Sequence, residues 1–410
     1  MKGIFIIIDG VADEPCSILK GKTPLEAAET PYLDEIAKKS RIDYCYPIKE
    51  GIAPESSSAV VSLFGYDYRD APRGSLEAQG AGLKLKKGDL ALRCNFATID
   101  KIDKIIDSRA GRTLTTREAK ELAKEINEKV KLPYKFEFHA LNQHRGVLIF
   151  RGGFSDNISN ADPFYGNGVV VDSTRKMIFS KALDEEEDSQ LSANLVNSFI
   201  RNSHEILGKH PVNIARERKG LYAANVILCR DAGNSPIKFK KLRGKWMALG
   251  YMPLEIGIAK AVGMEVYKFK YPKLKSIDVY STLYSGLRKA IKYAIKMMKR
   301  NYKKYDYFYI HFKETDIPGH DGKPIDKVKM IEMIDYKFFS FLSSFIGSNK
   351  LIITADHTTS SNKKRHTDGA VPVLIYPEKG SKEKQRFTEK DGLKGEKWIG
   401  KKLLEGALFS

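Results

Sequence analysis

The chain has no long apolar run. Although 42% of its 410 residues are hydrophobic, no stretch approaches the roughly 18 apolar residues of a membrane span. The opening segment MKGIFIIIDG is too short for a signal peptide, and Asp9 follows it without a small-residue cleavage site. We therefore interpret residues 4–8 as a buried first strand and predict no membrane partner.

Cysteine is also scarce. The four cysteines, Cys16, Cys45, Cys94 and Cys229, are widely spaced and none belongs to a CxxC pair. This spacing argues against a disulfide framework and against a thiolate zinc site. It favours a cytoplasmic protein with reduced, partly buried thiols.

Charge of one sign dominates, since the formal net charge is +19. Nucleic-acid binding is one explanation, but the lysines are scattered and form only modest clusters such as KYAIKMMKRNYKKY and NKKRH. No nucleic-acid-binding motif accompanies them. We predict no nucleic-acid partner and a solvated basic surface whose field attracts an anionic substrate.

Strand-like runs alternate with helical patterns at both ends of the chain. IFIIID (4–9) precedes a predicted helix over 23–40. A basic helix over about 279–303 leads into YDYFYIHF, and a helix over about 324–346 precedes KLIITAD and VPVLIYP. Continuous apolar strands separated by helices predict an α/β fold with a doubly wound, mainly parallel sheet.

The middle of the chain has a different pattern. LALRCNFATID, KIIDSRAGR and RGVLIFRGG resemble separate strands, with helices predicted over about 115–130 and 185–208. We predict an inserted α+β cap domain over residues 71–239. The core domain would combine residues 1–70 and 240–410.

Potential metal ligands follow the predicted strands of the core. They are Asp9, Asp316, His320, Asp356, His357 and His366. Ligands bind beyond the carboxyl ends of the strands in such sheets, and aspartate–imidazole sets suit divalent metals. Each residue alone has a structural explanation, such as a turn, a helix cap or an exposed loop. Asp356 and His357 are adjacent, so in a strand their side chains would point to opposite sides and could bind different ions. In a loop, both could bind the same ion.

Ser56 begins SSSAVVSLFGYD, which is typical of a helix. A serine at this position is most often an N-cap. The same position offers backbone N–H groups to a phosphate, and a metal ion on the hydroxyl would make it a nucleophile. Ser57 and Ser58 are close enough to compete for this role.

The central segment supplies basic residues that could bind an anionic substrate. They are Arg109, Arg112, His144, Arg145 and Arg230. Guanidinium groups bind carboxylates and phosphates in a bidentate manner. A solvated surface position is the alternative for each arginine.

Several motifs, in this order, resemble the archaeal-type 2,3-bisphosphoglycerate-independent phosphoglycerate mutases of the alkaline phosphatase superfamily. The likeness extends over nearly the whole chain and includes IIIDGVAD, GKTPLEAAETPYLDEIA, SLFGYD, LRCNFATID, DSRAGR, MPLEIGIAKAVGMEVY, HFKETDIPGHDGKP, ITADHTT and HTDGAVPVLIY.

The resemblance implies two divalent metal ions (manganese, cobalt, magnesium or zinc) and no 2,3-bisphosphoglycerate. One ion would be held by Asp316, His320 and His366, and the other by Asp9, Asp356, His357 and Ser56. It also implies transfer of the phosphoryl group of 3-phosphoglycerate to Ser56 and back to the other hydroxyl, giving 2-phosphoglycerate. The cap would close over the site, and its arginines would hold the substrate.

The chain departs from the family after the serine. Where the family typically reads G-S-D-T-A-H-L-S, residues 55–62 read ESSSAVVS. Counting back from FGYD places the nucleophile at Ser56, and Ser57 and Val60 replace the family's acidic residue and histidine. A related phosphatase or phosphotransferase, and a basic nucleic-acid-binding protein on an idle fold, are the alternative functions. The sequence names neither the metal nor the oligomeric state.

Overall fold

A computed structural model describes residues 2–166, 169–171, 175–274, 278–377 and 385–409. Its strands are β1 (Gly3–Ile8), β2 (Arg41–Tyr46), β3 (Leu90–Ile99), β4 (Ile105–Asp107), β5 (Phe136–Ala140), β6 (Arg145–Phe150), β7 (Tyr165–Gly166), β8 (Val169–Val170), β9 (Val226–Gly233), β10 (Trp246–Gly250), β11 (Glu265–Lys268), β12 (Tyr307–Phe312), β13 (Lys350–Thr354), β14 (Thr358–Ser360), β15 (Arg365–Thr367), β16 (Val371–Tyr376) and β17 (Lys397–Ile399).

The helices are α1 (Pro24–Ala27), α2 (Pro31–Ala37), α3 (Ser56–Leu63), α4 (Arg73–Ala81), α5 (Thr116–Lys129), α6 (Glu187–Gly208), α7 (Pro211–Arg218), α8 (Pro253–Ala261), α9 (Val279–Asn301), α10 (Asp316–Asp321), α11 (Pro324–Ile334), α12 (Ser340–Phe345), α13 (Glu389–Gly392) and α14 (Gly400–Leu404). None of the helices in the described ranges is both long and apolar enough to cross a bilayer.

The larger sheet has the order β11-β10-β12-β1-β13-β16-β2-β17. Every strand in it except β16 runs in the same direction. β1 is buried along its whole length, as expected for a parallel strand covered on both faces. The mainly parallel α/β fold predicted from the sequence is confirmed.

A second sheet is built from residues of the central segment. β3 pairs antiparallel with β4, β6 and β9, and β6 pairs with β5. α5 and α6 contribute buried side chains to the apolar core of this sheet. These strands fall within the predicted insertion over 71–239, whose boundaries remain a prediction.

Two helices pack closely where the two parts of the chain adjoin. α4 lies against α8, and a Cβ added at Gly80 would collide with the backbone of Pro253. A Cβ at Gly257 would likewise collide with the backbone of Leu76. Glycine therefore allows the two helix backbones to approach closely.

Three local predictions need correction. The helix predicted over 23–40 is two helices, because α1 ends at Ala27 and Pro31 starts α2. The strand predicted in KIIDSRAGR is only β4, because Ala110, Gly111 and Arg112 have positive φ values. The helix over 324–346 contains a π-helical segment at Asp335–Phe339.

Candidate active site

Three neighbouring parallel strands place carboxylates at one edge of the larger sheet. β1 lies between β12 and β13. Asp9 directly follows β1, Asp316 begins α10 after β12, and Asp356 follows β13. The carboxyl ends of parallel strands share an edge, so residues far apart in sequence converge there.

The first cluster joins Asp316, His320 and His366. His320 Nε2 lies 3.5 Å from Asp316 Oδ2, and His366 Nε2 lies 3.6 Å from Asp316 Oδ1. The two Nε2 atoms are 3.1 Å apart. α10 places Asp316 and His320 on one face, because side chains four residues apart in a helix are neighbours.

The second cluster joins Asp9, Asp356, His357 and Ser56. His357 Nε2 lies 3.4 Å from Asp9 Oδ1, 3.5 Å from Asp356 Oδ2 and 3.1 Å from Ser56 Oγ. β13 ends at Thr354, so Asp356 and His357 lie in a loop and reach the same cluster. His357 also forms a group of potential metal ligands with Asp316 and His366, whereas Asp356 groups with Asp9 and His311, so the two residues can still serve different ions.

Oxygen acceptors fix the orientation of the three imidazoles. His320 Nδ1 donates a hydrogen bond to the backbone oxygen of Lys364 at 3.1 Å. His366 Nδ1 donates one to the backbone oxygen of Pro54 at 2.8 Å. His357 Nδ1 donates to Thr359 Oγ1 at 3.0 Å, and that hydroxyl donates to an Asp316 carboxylate oxygen at 2.8 Å. With Nδ1 protonated, each Nε2 lone pair is available to a metal ion.

Electrostatics favour the ligating forms of these groups. Burial lowers the pKa values of His320, His357 and His366, so the imidazoles stay neutral. Burial alone would raise the pKa of Asp316, but the attraction of His320 and His366 holds it well below its usual range. Burial acts in the same direction on Asp356, yet His357, His311, Lys313 and the backbone N–H of Gly10 together lower its pKa to about 2.

Buried polar atoms without hydrogen-bond partners show that the second cluster fits a cation. Within the described residues, both carboxylate oxygens of Asp9, Oδ2 of Asp356 and Nε2 of His311 lack a hydrogen bond. Such atoms are costly to bury unless they are paired or coordinate a metal. Carboxylate and imidazole donors suit manganese, cobalt, magnesium and zinc.

His311 and Lys313 belong to this edge of the sheet and were not predicted. His311 Nε2 is 3.3 Å from Asp9 Oδ2 and 3.7 Å from Asp356 Oδ2. Lys313 Nζ contacts Asp9 and lies 2.9 Å from Glu255. Both belong to YIHFK at the end of β12, so the strand-end argument used for Asp316 could have found them.

Ser56 is the first residue of α3, so the N-cap alternative that the sequence left open does not apply. Glu55 is the N-cap, and its side chain makes no capping hydrogen bond. No capping side chain therefore competes for the N–H groups at this helix start, which remains available to an anion. Ser57 and Ser58 are both buried in the same first turn.

A cavity of about 450 Å³ lies between the two sheets and opens onto this edge. It is lined by Ser56, Asp316, His320 and His366 and by all five predicted substrate-binding residues: Arg109, Arg112, His144, Arg145 and Arg230. The fold thus brings all five predicted substrate-binding residues and four of the seven predicted metal-ligand residues to one cavity.

The arginines of the cavity differ in their partners. Arg112 Nη1 donates to Asp321 at 2.6 Å, and Arg230 Nη1 donates to both carboxylate oxygens of Glu55 at 3.1 Å. Among the described residues, the side chain of Arg109 reaches only the hydroxyl of Tyr165, at 3.5 Å. In the described part of the chain, Arg145 has neither a side-chain hydrogen bond nor an ion pair. Burial lowers the pKa of Arg145, and nearby arginines add to the effect.

The mainly parallel α/β sheet, with two groups of aspartate and histidine beyond its carboxyl edge and a serine beside them, is the arrangement expected from the resemblance to alkaline phosphatase-like proteins. A family model described as 2,3-bisphosphoglycerate-independent phosphoglycerate mutase matches residues 37–213. A curated protein of that name from Pyrococcus abyssi is 38% identical over 405 residues, covering 96% of this chain and 93% of its own. The chain belongs to the 2,3-bisphosphoglycerate-independent phosphoglycerate mutase family.

Solved structures agree with this assignment. A protein from Pyrococcus horikoshii aligns with a TM-score of 0.72 at 28% identity, covering 99% of this chain and 96% of its own. A cofactor-independent phosphoglycerate mutase from Thermoplasma acidophilum aligns with a TM-score of 0.55 at 25% identity, covering 100% of this chain and 99% of its own. The resemblance found in the motifs is confirmed over essentially the full length.

Proposed function

We propose that the protein interconverts 3-phosphoglycerate and 2-phosphoglycerate through a phosphoserine at Ser56, without 2,3-bisphosphoglycerate. The observation that carries this proposal is the position of Ser56. Its hydroxyl lies 3.1 Å from His357 Nε2 and lines a cavity that also contains arginines. Family membership supplies the substrate class.

The chain's ligand sets suit two divalent metal ions (manganese, cobalt, magnesium or zinc). Asp316, His320 and His366 would hold one ion. Asp9, Asp356, His357 and the hydroxyl of Ser56 would hold the other. Such ions, when bound, neutralise phosphoryl charge and lower the pKa of a coordinated hydroxyl.

Ser56 then acts as the phosphoryl acceptor. Its position at the start of α3 directs backbone N–H groups and the positive end of the helix dipole toward the incoming phosphoryl group. Its hydroxyl attacks phosphorus, the bond to the glycerate oxygen breaks, and that oxygen takes a proton. The reverse transfer to the other hydroxyl of glycerate completes the isomerisation.

The basic residues of the second sheet hold the glycerate between the two transfers. Arg145 and Arg109 would bind its carboxylate, because they have no carboxylate partner of their own among the described residues. Arg112 would bind the same anion while remaining beside Asp321. His144 stays neutral, since burial and Arg145 lower its pKa well below the usual value.

The enclosing walls protect the intermediate. Because the cavity lies between the two sheets, water has limited access to the phosphoserine while the glycerate reorients. We place the reaction in the cytoplasm, which suits four buried free thiols. Its partner is the small phosphorylated substrate, and the proposal includes no nucleic acid or membrane partner.

An enolase-coupled assay tests the function. Purified protein is supplied with 3-phosphoglycerate and a divalent metal but no bisphosphoglycerate, and inorganic phosphate is measured in parallel. We expect formation of 2-phosphoglycerate with little phosphate release. Release of phosphate alone would instead identify a phosphatase of the same superfamily.

A further inference from the structure

Five side chains of alternating charge form a row along one wall of the cavity; four of them are buried and Arg73 is 15% exposed. The row runs in the order Arg230, Glu55, Arg73, Glu77, Arg93. Arg73 Nη1 donates to Glu55 at 2.6 Å and its Nε donates to Glu77 at 2.7 Å, while Arg93 Nη1 lies 3.2 Å from Glu77. We call these five residues the charge row.

Glu55 links the charge row to the candidate nucleophile. It directly precedes Ser56, its side chain is 1% exposed, and its carboxylate turns away from the helix that it starts. The carboxylate accepts hydrogen bonds from Arg230 and Arg73. A carboxylate held by two guanidinium groups is the arrangement expected for a bound anion, but here the chain itself supplies the anion.

Arg230 is further neutralised by other groups. Its Nε lies 3.7 Å from Asp162, its Nη1 lies 3.7 Å from Asp231, and its guanidinium stacks 3.5 Å above the ring of Tyr165. A ligand anion approaching Arg230 would encounter the negative charge of Glu55 at hydrogen-bond distance from the same nitrogen. Arg145, across the same cavity, presents no such obstacle.

We propose that Glu55 is a specificity-determining residue that fills the anion subsite formed by Arg73 and Arg230. It thereby restricts the cavity to ligands with one phosphoryl group and one carboxylate, and disfavours bisphosphorylated ligands. The inference rests on the mutase activity proposed above. It concerns this chain in particular, because the family typically has glycine where this chain has Glu55.

Direct binding measurements test this role separately from turnover. Glu55→Gln removes the charge and keeps the shape. The dissociation constants of 2,3-bisphosphoglycerate and 3-phosphoglycerate are measured by calorimetry on metal-loaded protein, in a Ser56→Ala background that prevents phosphoryl transfer. We expect the variant to bind 2,3-bisphosphoglycerate about tenfold more tightly or better, as for one charge-assisted hydrogen bond gained. Binding of 3-phosphoglycerate should change much less.

Two further variants locate the effect. Glu77→Gln is the matched control, because Glu77 is equally buried in the charge row but pairs with Arg73 and Arg93. We expect Glu77→Gln to gain much less affinity for 2,3-bisphosphoglycerate than Glu55→Gln does. An equal gain in affinity would overturn the proposal. In the double variant Glu55→Gln/Arg230→Gln, the gain in affinity for 2,3-bisphosphoglycerate should disappear. A gain that persists would show that Arg230 does not form the subsite.

The protein with an intact Glu55 provides a test that does not depend on the folding of any Glu55 variant. It should bind 2,3-bisphosphoglycerate at least about tenfold more weakly than 3-phosphoglycerate. Equal affinities would refute the role of Glu55 even if the mutase activity were established. Conversely, absence of mutase activity would refute the proposed function while leaving the binding comparison interpretable.

Discussion

Replacing Arg145 with methionine separates substrate binding from stability. Arg145 is the first residue of β6, lines the cavity and lacks an ion pair among the described residues. Burial and the neighbouring Arg73 and Arg109 lower its pKa against the attraction of Glu77 and Glu255, so its positive charge is only partly compensated in the ligand-free fold. Substrate binding would compensate that charge.

The expected loss can be estimated from the one guanidinium removed. A hydrogen bond to a charged group contributes about 1.5–3 kcal/mol. At about 1.4 kcal/mol for each factor of ten, Arg145→Met should lower kcat/KM by about 10- to 150-fold. Its thermal midpoint should stay unchanged or rise, because the variant loses a half-buried charge that has no ion pair among the described residues.

The assay combines enolase-coupled kinetics with thermal unfolding of the ligand-free protein. Arg151→Met is the matched control, because Arg151 follows the same strand but pairs with Glu137 and Asp89. We expect this control to keep its kcat/KM and to lose stability. Wild-type kcat/KM in Arg145→Met, or a fall in its thermal midpoint as large as in the control, would refute the reasoning.

Three other predictions concern the serine, the metals and one remote carboxyl group. Ser56→Ala should abolish turnover with metal content largely intact, whereas Ser57→Ala should remain active; full activity in Ser56→Ala would exclude it as the nucleophile. Chelation should remove activity and lower the thermal midpoint, with manganese restoring both, because ions that bind only the folded state stabilise it; a chelator-insensitive mutase would contradict the two-metal site. Burial raises the pKa of Glu389 to about 7, so this residue costs stability as the pH rises from roughly 4.3 to about 7. In urea unfolding, the free energy of unfolding of Glu389→Gln should rise relative to that of the wild type as the pH increases across that window. A difference between the two proteins that does not depend on pH would contradict the raised pKa.

The metal-ligand candidates could be predicted from the sequence because their positions follow from strand order. Continuous apolar runs mark parallel strands, and their carboxyl ends meet at one edge of the sheet. The same rule, applied to every polar residue at the end of β12, would have included His311 and Lys313. The sequence left the N-cap role of Ser56 open, because one residue decides whether a side chain starts or precedes a helix. The structure excludes that role, since Glu55 is the N-cap and makes no capping hydrogen bond.

The sequence by itself determined the α/β class, the strand-end carboxylates and the family. Each depends on local pattern or on motifs in a fixed order. Only the tertiary structure decided which arginines are available to a substrate. Arg230 and Arg145 look alike in sequence, but Glu55, 175 residues from Arg230 along the chain, neutralises one and leaves the other unpaired. Charge compensation depends on distances between remote segments, which no local pattern contains.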